Sequence, residues 1–153
     1  MRLMPSGRRV TLVMTARNAA ATIERALRSA TTQPIESIVL VDDHSEDDTV
    51  ARARRVARAR LTVIRPARHE TIAVARQTAI DAIRTPLGIW LDADDEWLPG
   101  RVTKLMATLG DDLADFAFDG AEIVSSDGPR PGAHLNRDVP ARQLDERAFE
   151  RIQ

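Results

Sequence analysis

The 153-residue chain has no cysteine, a single lysine and no long apolar run. The absence of cysteine excludes disulfides, thiolate catalysis and cysteine-ligated zinc sites. No apolar run approaches the ~20 residues that cross a bilayer as a helix. A formal net charge of −1 produces no overall field that would attract nucleic acid or a membrane surface. The single lysine, Lys104, and the abundance of arginine and alanine reflect genome base composition more than function.

Short apolar segments of strand-like composition alternate with segments of helical periodicity. Strands are predicted at 10–14, 37–41, 61–64 and 87–91. Helices are predicted at 19–32, from 45 through 57, at 71–84 and after Pro99. Because a helix follows each strand, the pattern predicts an α/β fold with a mostly parallel sheet covered on both faces, in three α/β/α layers.

The helix ends and inward faces carry finer predictions. Asn18 or Thr22 is expected to cap the first helix, and residues 45–48 are typical of the start of the second. Pro99 suits the first turn of the fourth helix. The third helix is expected to turn five side chains inward: Ile72, Ala75, Ala79, Ile80 and Ile83.

The pattern changes after Gly110. Extended pieces are predicted at 116–118 and 121–124, followed by a turn-rich stretch at 125–132. The remaining residues are polar, with a weak helix at 141–151. We therefore expect one domain at 1–132 and a polar tail at 133–153.

Two groups of carboxylates come directly after predicted strands. Asp92, Asp94 and Asp95 follow the strand at 87–91, and Asp42 and Asp43 follow the strand at 37–41. Ligands of open parallel sheets bind beyond the carboxyl ends of the strands, so both groups predict one site at one sheet edge. Clustered carboxylates need open water or a bound cation.

The turns at this edge are not rich in glycine, which excludes a Walker loop and a dinucleotide-binding glycine motif. A phosphate could instead be held through Mg²⁺ or Mn²⁺ on Asp92 and Asp94. Asp43 is placed to accept hydrogen bonds from a base or ribose, with Thr15 and Arg17 completing that pocket. These residue types therefore predict a site for a phosphorylated, nucleotide-like ligand.

Simpler interpretations of the same residues stay open at this point. The acids at 92–95 could be a solvated loop that caps the next helix, and Asp42 and Asp43 could form a turn with Ser45. Arg76 could offer a forked donor to a phosphate or make a salt bridge on a helix face. The three histidines, at 44, 69 and 134, are too scattered to propose as joint metal ligands.

Four ordered motifs resemble those of the inverting family-2 glycosyltransferases, which have the nucleotide-sugar-binding GT-A fold. The segments are 10–18 (VTLVMTARN), 38–47 (IVLVDDHSED), 75–77 (ARQ) and 91–100 (LDADDEWLPG). The last is similar to the D-x-D element and the following D-x-x-x-P of that family almost residue for residue. The resemblance covers roughly residues 9–128.

The resemblance implies transfer of a sugar from a nucleotide-diphosphate donor to an acceptor hydroxyl, with inversion and with divalent Mn²⁺ or Mg²⁺. Thr15 and Arg17 would lie against the nucleobase, and Asp43 would hydrogen-bond it. Asp92 would lie near the ribose, and Asp94 would bind the metal that bridges the diphosphate. In the same comparison, Arg76 would organise the pocket wall.

The chain also departs from that family's pattern. Arg17 stands for a tyrosine, His44 for a glycine and Gln77 for an asparagine. The family's catalytic base belongs to a later E-D element that is not identifiable here, so the catalytic residue is unassigned. We expect a fragment, a truncated homologue, or a nucleotide-sugar-binding subunit completed by another chain.

The expected partners follow from the same resemblance. The acceptor is a saccharide, lipid or polymer, nucleic acid is not expected, and homo-oligomer formation stays open. We expect a cytoplasmic protein with no transmembrane segment, and peripheral membrane association is left open.

Overall fold

A computed structural model describes residues 9–109 with their side chains, and the backbone of 121–125 and 128–135. The chain divides into two compact units, Met1–Val102 and Thr103–Gln153. The predicted extended piece at 116–118 and the predicted helix at 141–151 lie outside the described residues. The expected domain boundary at 132/133 stays a prediction.

The first unit is built around four parallel strands in the order β3-β2-β1-β4. The strands are β1 (Val10–Ala16), β2 (Ser37–Asp42), β3 (Leu61–Ile64) and β4 (Leu87–Trp90). The helices are α1 (Ile23–Thr31), α2 (Thr49–Ala57), α3 (Ile72–Asp81) and α4 (Arg101–Leu109), with a 3₁₀ turn at Arg58–Arg60. The predicted alternation of strand and helix is confirmed, and so is the α/β class.

The core lies on the two central strands. Every residue of β1 is buried, and β2 is buried from its second residue onward. Strands covered on both faces have near-continuous apolar runs, which is the pattern of residues 10–14 and 38–41. Helix α1 buries four side chains at helical spacing: Ile23, Ala26, Leu27 and Ala30.

Helix α3 packs through small side chains. Only Ala75 and Ala79 of this helix are buried, in a cluster with valines of β1 and β2. Ile72 is 60% exposed and Ile80 is 48% exposed, so the prediction that both face inward is wrong. Two alanines four residues apart define a narrow contact stripe, and Ile80 lies about 100° around the helix from Ala79. Ile83, just beyond the helix, is partly buried against the cluster as expected.

Three helices begin later than predicted. Thr22 and Ile23 both donate their N–H to the carbonyl of Ala19, at 3.0 and 2.9 Å, before α1 begins. The side chain of Thr22 makes no capping hydrogen bond, and that of Asn18 bonds elsewhere. Helix α2 begins only at residue 49, because the side chains of Ser45 and Asp47 accept backbone N–H groups of the loop after β1. Pro99 precedes α4 in a turn that ends at Gly100, whose φ is +80°.

The described backbone of the second unit contains an antiparallel pair, β5 (Ala121–Ser125) and β6 (Gly128–Leu135). The extended piece predicted at 121–124 is present. The turn-rich prediction for 125–132 is wrong from Gly128 onward, where β6 begins. A strand in a two-stranded pair tolerates proline, as at 129 and 131, because N–H groups on its outer edge need no ladder partner. The ladder is irregular between Glu122 and Val124.

The contrast between the core and α3 predicts different costs for two truncations. Leu40→Ala removes a fully buried side chain and is expected to lower the free energy of unfolding by about 2–5 kcal/mol. Ile72→Ala, on the exposed side of α3, is expected to change it by less than about 0.5 kcal/mol. Urea unfolding of both variants measures the difference. A core-like cost for Ile72→Ala would contradict the exposure of this helix face.

Candidate active site

The carboxyl ends of β1, β2 and β4 meet at one edge of the sheet. Ala16 pairs with Asp42, and the N–H of Asp43 donates to the carbonyl of Ala16 at 2.9 Å. On the other side of β1, the N–H of Leu91 donates to the carbonyl of Val13 at 3.2 Å. The segments that begin at residues 17, 43 and 92 therefore leave the sheet at the same edge, as predicted.

The strand order reverses at β1. The chain passes from β1 to β2 and β3 on one side, and then returns to place β4 on the other side. In open α/β sheets such a switch point leaves a crevice at the carboxyl ends of the strands, where ligands bind. Thr15, the penultimate residue of β1, is buried at this point, and Arg17, just beyond the strand, is exposed.

Both carboxylate oxygens of Asp43 have partners in the chain. Oδ1 accepts the backbone N–H of Glu70 at 3.0 Å, and Oδ2 lies 2.5 Å from Nδ1 of His69. Burial alone would raise the pKa of Asp43. The hydrogen bonds from Glu70 and His69, together with the positive charge of Arg17, instead lower this pKa below its ordinary value. Asp43 is thus an ionised acceptor at neutral pH.

His69 links Asp43 to Arg17. An Nη atom of Arg17 lies 2.9 Å from Nε2 of His69, and a guanidinium can only donate. The same Arg17 nitrogen lies 3.3 Å from Nδ1, the ring nitrogen that faces Asp43, so the guanidinium lies beside both ring nitrogens. His69 was not among the predicted site residues, because the three histidines were considered only as joint metal ligands. The signal was its place in the β3–α3 connection, which starts from the same sheet edge as the end of β2.

Side chains tie the loop after β1 to the loop after β2. The hydroxyl of Ser45 accepts the N–H of Asn18 at 2.9 Å, and the amide oxygen of Asn18 accepts the N–H of Glu46 at 2.8 Å. Asp47 accepts the N–H of Ala20 at 3.0 Å. The hydrogen bond from the Thr49 hydroxyl, supported by backbone N–H groups, lowers the pKa of Asp47. These bonds fix both loops without a glycine-rich turn.

Asp42 has a structural role beneath the site. Its carboxylate is fully buried, accepts the N–H of Ser45 at 3.3 Å and lies 3.6 Å from a guanidinium nitrogen of Arg65. This is the turn with Ser45 that the sequence left open. His44, at the tip of that turn, has a φ of +59°, and its Nε2 lies 3.0 Å from the carbonyl of Pro66. The left-handed backbone explains why a glycine would suit this position.

Asp92 and Arg76 form the second cluster at the edge. A guanidinium nitrogen of Arg76 lies 3.4 Å from Oδ1 of Asp92, and the indole N–H of Trp90 donates to the same oxygen at 2.8 Å. The guanidinium carbon also lies 5.2 Å from the centre of the Trp90 ring. Arg76 thus makes the salt bridge that one interpretation predicted. Its partners, Asp92 and Trp90, lie at the carboxyl end of β4, so the salt bridge is at the predicted sheet edge.

The acidic turn after β4 presents its carboxylates to solvent. The N–H of Asp95 donates to the carbonyl of Asp92 at 3.2 Å, and Asp94, Asp95 and Glu96 are exposed. Burial and the negative charges of Asp94 and Asp92 raise the pKa of Asp95, against the opposing effect of Arg101. Within residues 9–109, the Asp94 carboxylate makes no hydrogen bond or ion pair with another side chain.

The described residues contain no group of three or more His, Asp or Glu side chains that could hold a metal ion. A divalent cation at this turn would therefore take most of its ligands from outside the described side chains. Mg²⁺ accepts such an arrangement, with one or two carboxylates plus water and phosphate oxygens. The hard carboxylate oxygens of the turn fit Mg²⁺ or Mn²⁺ in type, and Asp94 has the exposed carboxylate such an ion needs.

Comparison with protein families identifies the chain. A family model described as glycosyl transferase family 2 matches residues 11–151. The chain belongs to this family. The resemblance inferred from the four motifs is thereby confirmed.

Two curated proteins are similar to the chain, both from Rhizobium meliloti (strain 1021). The succinoglycan biosynthesis protein ExoU is 41% identical over 141 residues, which are 88% of this chain and 40% of that protein. The succinoglycan biosynthesis protein ExoO is 36% identical over 124 residues, or 78% of this chain and 35% of that protein. The chain therefore spans 40% or less of the length of these relatives.

Solved glycosyltransferase structures share the fold. Mannosyltransferase PcManGT from Pyrobaculum calidifontis, in complex with GDP-Man and Mn²⁺, matches with a TM-score of 0.64 and 26% identity. That match covers 71% of this chain and 34% of PcManGT. S. aureus TarS 1-349 in complex with UDP matches with a TM-score of 0.58 and 20% identity, over 66% and 32% of the two chains. This family 2 chain thus has the predicted GT-A fold.

For this family 2 chain, five of the six predicted site residues lie in or beside two clusters at the sheet edge, and Thr15 lies buried in β1 without a bond to either cluster. Arg17 and Asp43 meet through His69, and Arg76 meets Asp92 directly, with Asp94 in the turn that follows. No hydrogen bond or ion pair joins the two clusters within the described part of the chain. In the same part, no helix is long and apolar enough to cross a membrane.

The lowered pKa of Asp43 predicts a pH-dependent contribution to stability. The contribution is fully present above the unfolded pKa near 3.8 and is lost as the pH falls through the lower folded pKa. As the pH falls from about 5 to about 2, the free energy of unfolding should therefore decrease less in Asp43→Asn than in the parent. Urea unfolding across that range measures this.

The matched control is Asp48→Asn. Asp48 is exposed at the start of α2, and its side chain makes no capping hydrogen bond. This variant should follow the parent curve at every pH. The free energy of unfolding of Asp43→Asn could instead change with pH as that of the parent does. This result would mean that folding does not lower the pKa of Asp43.

Proposed function

We propose that this family 2 chain binds a nucleotide-diphosphate sugar at the carboxyl edge of β1, β2 and β4. We further propose that the full-length protein transfers the sugar to an acceptor hydroxyl with inversion. One observation carries the proposal: an ionised, buried acceptor at Asp43 and an exposed acidic turn at Asp92–Asp95 share one edge at the switch point of a GT-A sheet.

Asp43 is proposed to read the nucleobase, with Thr15 and Arg17 beside it. An ionised carboxylate can only accept hydrogen bonds, so its partner on the base must be an N–H group. Uracil and guanine both present such groups. Thr15 is buried near the end of β1, and Arg17 is exposed just beyond the strand and linked to Asp43 through His69. This cluster is therefore suited to the base and not to the phosphates.

Asp94 is proposed to bind the divalent cation, Mn²⁺ or Mg²⁺, that holds the diphosphate. A bound cation would offset the negative charge that develops on the departing nucleoside diphosphate. Asp92 is proposed to lie near the ribose, where Trp90 and Arg76 fix its carboxylate. Arg76, stacked on Trp90, is proposed to form the wall of the pocket. The mannosyltransferase PcManGT, with the same fold, contains GDP-Man and Mn²⁺ in its structure.

The donor-binding region is proposed to cover residues 1–132, with 133–153 leading toward the part that binds the acceptor. No carboxylate of this chain is assigned as the catalytic base that would deprotonate the acceptor hydroxyl. Donor binding is therefore the activity to measure on the chain itself. The second candidate, a donor-binding subunit that needs another polypeptide for transfer, predicts the same binding and no transfer by the chain alone.

The proposal is tested by calorimetry with UDP and GDP, each with and without Mn²⁺. The parent chain should bind one nucleotide more tightly with Mn²⁺ than in EDTA. Asp94→Ala should remove most of this gain, a loss of at least about tenfold. Asp43→Asn should weaken binding by about 10- to 100-fold in both conditions, because a hydrogen bond to a charged acceptor is lost.

Asp48→Asn serves as the control, since its carboxylate belongs to neither cluster. It should bind as the parent does in all conditions. Equal nucleotide affinity with and without Mn²⁺, or an unchanged gain in Asp94→Ala, would remove the proposed metal role. An unchanged affinity in Asp43→Asn would remove the proposed base contact.

A further inference from the structure

The segment that carries Asp94 is held by one stripe of helix α1. Arg25 and Ser29 belong to α1 and Gln33 lies two residues beyond it, and the spacing of four residues places the three along one side of the helix. All three bond to the irregular segment at 94–98, which lies between β4 and α4, and Gln33 also bonds to Val102 in the first turn of α4.

The contacts are mostly to backbone groups of the segment. Arg25 donates to the carbonyl of Asp94 at 3.2 Å, and its Nε lies 2.7 Å from a carboxylate oxygen of Glu96. The hydroxyl of Ser29 accepts the N–H of Trp97 at 3.0 Å. Because backbone groups are bound, the stripe constrains the path of the chain and not only its side chains.

Gln33 makes the most shielded of these contacts. Its Nε2 donates to the carbonyl of Leu98 at 3.2 Å, and its Oε1 accepts the N–H of Val102 at 3.0 Å. Gln33 is only 7% exposed and Trp97 only 4%, so water competes little for these bonds. A buried amide with both ends bonded fixes the chain on either side of the turn at Pro99 and Gly100.

The segment is outside the helices and strands, so no regular pattern of backbone hydrogen bonds defines its shape. It lies between β4 and α4, and backbone groups outside regular structure need other partners. It also carries three adjacent exposed carboxylates, at 94, 95 and 96, which repel one another. The bonds from α1 therefore set the shape of the acidic turn against this repulsion.

We propose that Arg25 and Gln33 are positioning residues that hold the Asp94 turn in its cation-binding shape before the cation and diphosphate bind. The inference rests on the proposed function, because it gives Asp94 the cation. The affinity of this site for the cation and the diphosphate would then depend on α1, whose side chains are not proposed to contact either group.

The variant Arg25→Ala tests this, because the direction of its change in Mn²⁺-dependent affinity distinguishes a charge effect from a positioning effect. Arg25 is a positive charge beside the acidic turn, so its removal by charge alone would strengthen binding of Mn²⁺. Loss of positioning predicts the opposite, a weakening of Mn²⁺-dependent nucleotide affinity by about tenfold. The measurement is calorimetry with UDP and GDP, in Mn²⁺ and in EDTA. Affinity in EDTA should stay unchanged, because the base cluster is not touched.

Arg28→Ala is the matched control on the same helix. Arg28 pairs with Glu24 at 3.4 Å and does not contact the acidic segment. It should leave both affinities unchanged. Arg25→Lys keeps the charge and a donor, and should restore part of the lost affinity. Gln33→Met, which changes no charge, should show the same selective loss if the variant remains folded by thermal unfolding.

The outcomes separate this inference from the proposed function. If Asp94→Ala loses the Mn²⁺-dependent gain while Arg25→Ala behaves as Arg28→Ala does, the positioning role is wrong and the metal role stands. An increase in Mn²⁺-dependent affinity in Arg25→Ala also overturns the positioning role. Equal losses with Mn²⁺ and in EDTA would indicate general damage to the fold and reject it as well. If Asp94→Ala changes nothing, the proposed function itself fails.

Discussion

The parallel pairing of β1 with both of its neighbours is the constraint on which the site depends. Its register is continued past the strand ends by the bonds from Asp43 to Ala16 and from Leu91 to Val13. Every residue of β1 is buried, and the strand is flanked by exposed arginines at 9 and 17. A slip of one residue would carry one of these charges into a buried position, so the register fixes which residues emerge at the carboxyl edge.

Beyond the strands, the site is built from bonds between side chains and backbone. Asn18 and His44 adopt positive φ values of 50° and 59° without being glycine, a conformation that costs about 1–2 kcal/mol per residue. Contacts of these residues offset part of that cost, as in the exchange between Asn18, Ser45 and Glu46. Hydrogen bonds of polar side chains thus hold these loops in backbone conformations that glycine adopts without such a cost.

Much of the fold was predictable because its signals are local. Apolar runs gave the four strands, and the position of the acids directly after two of those runs placed them at one edge. Contacts between distant segments were not predictable. Nothing local in the sequence reveals that His69 meets Asp43, or that Gln33 reaches the chain near Leu98. The start of α2 was predicted too early for a related reason. Ser45 was expected at the helix start, but its hydroxyl accepts the N–H of Asn18. Asp47 bonds both the N–H of Ala20 and the N–H of Thr49, the first residue of α2.

The double engagement of Asp43 also affects how a ligand would be recognised there. Its two carboxylate oxygens each have one partner in the protein, and each has a second lone pair that could accept an N–H group of a base. The imidazole of His69 and the N–H of Glu70 therefore fix the direction of those free lone pairs in advance. A base would meet an acceptor whose orientation requires little further loss of side-chain entropy.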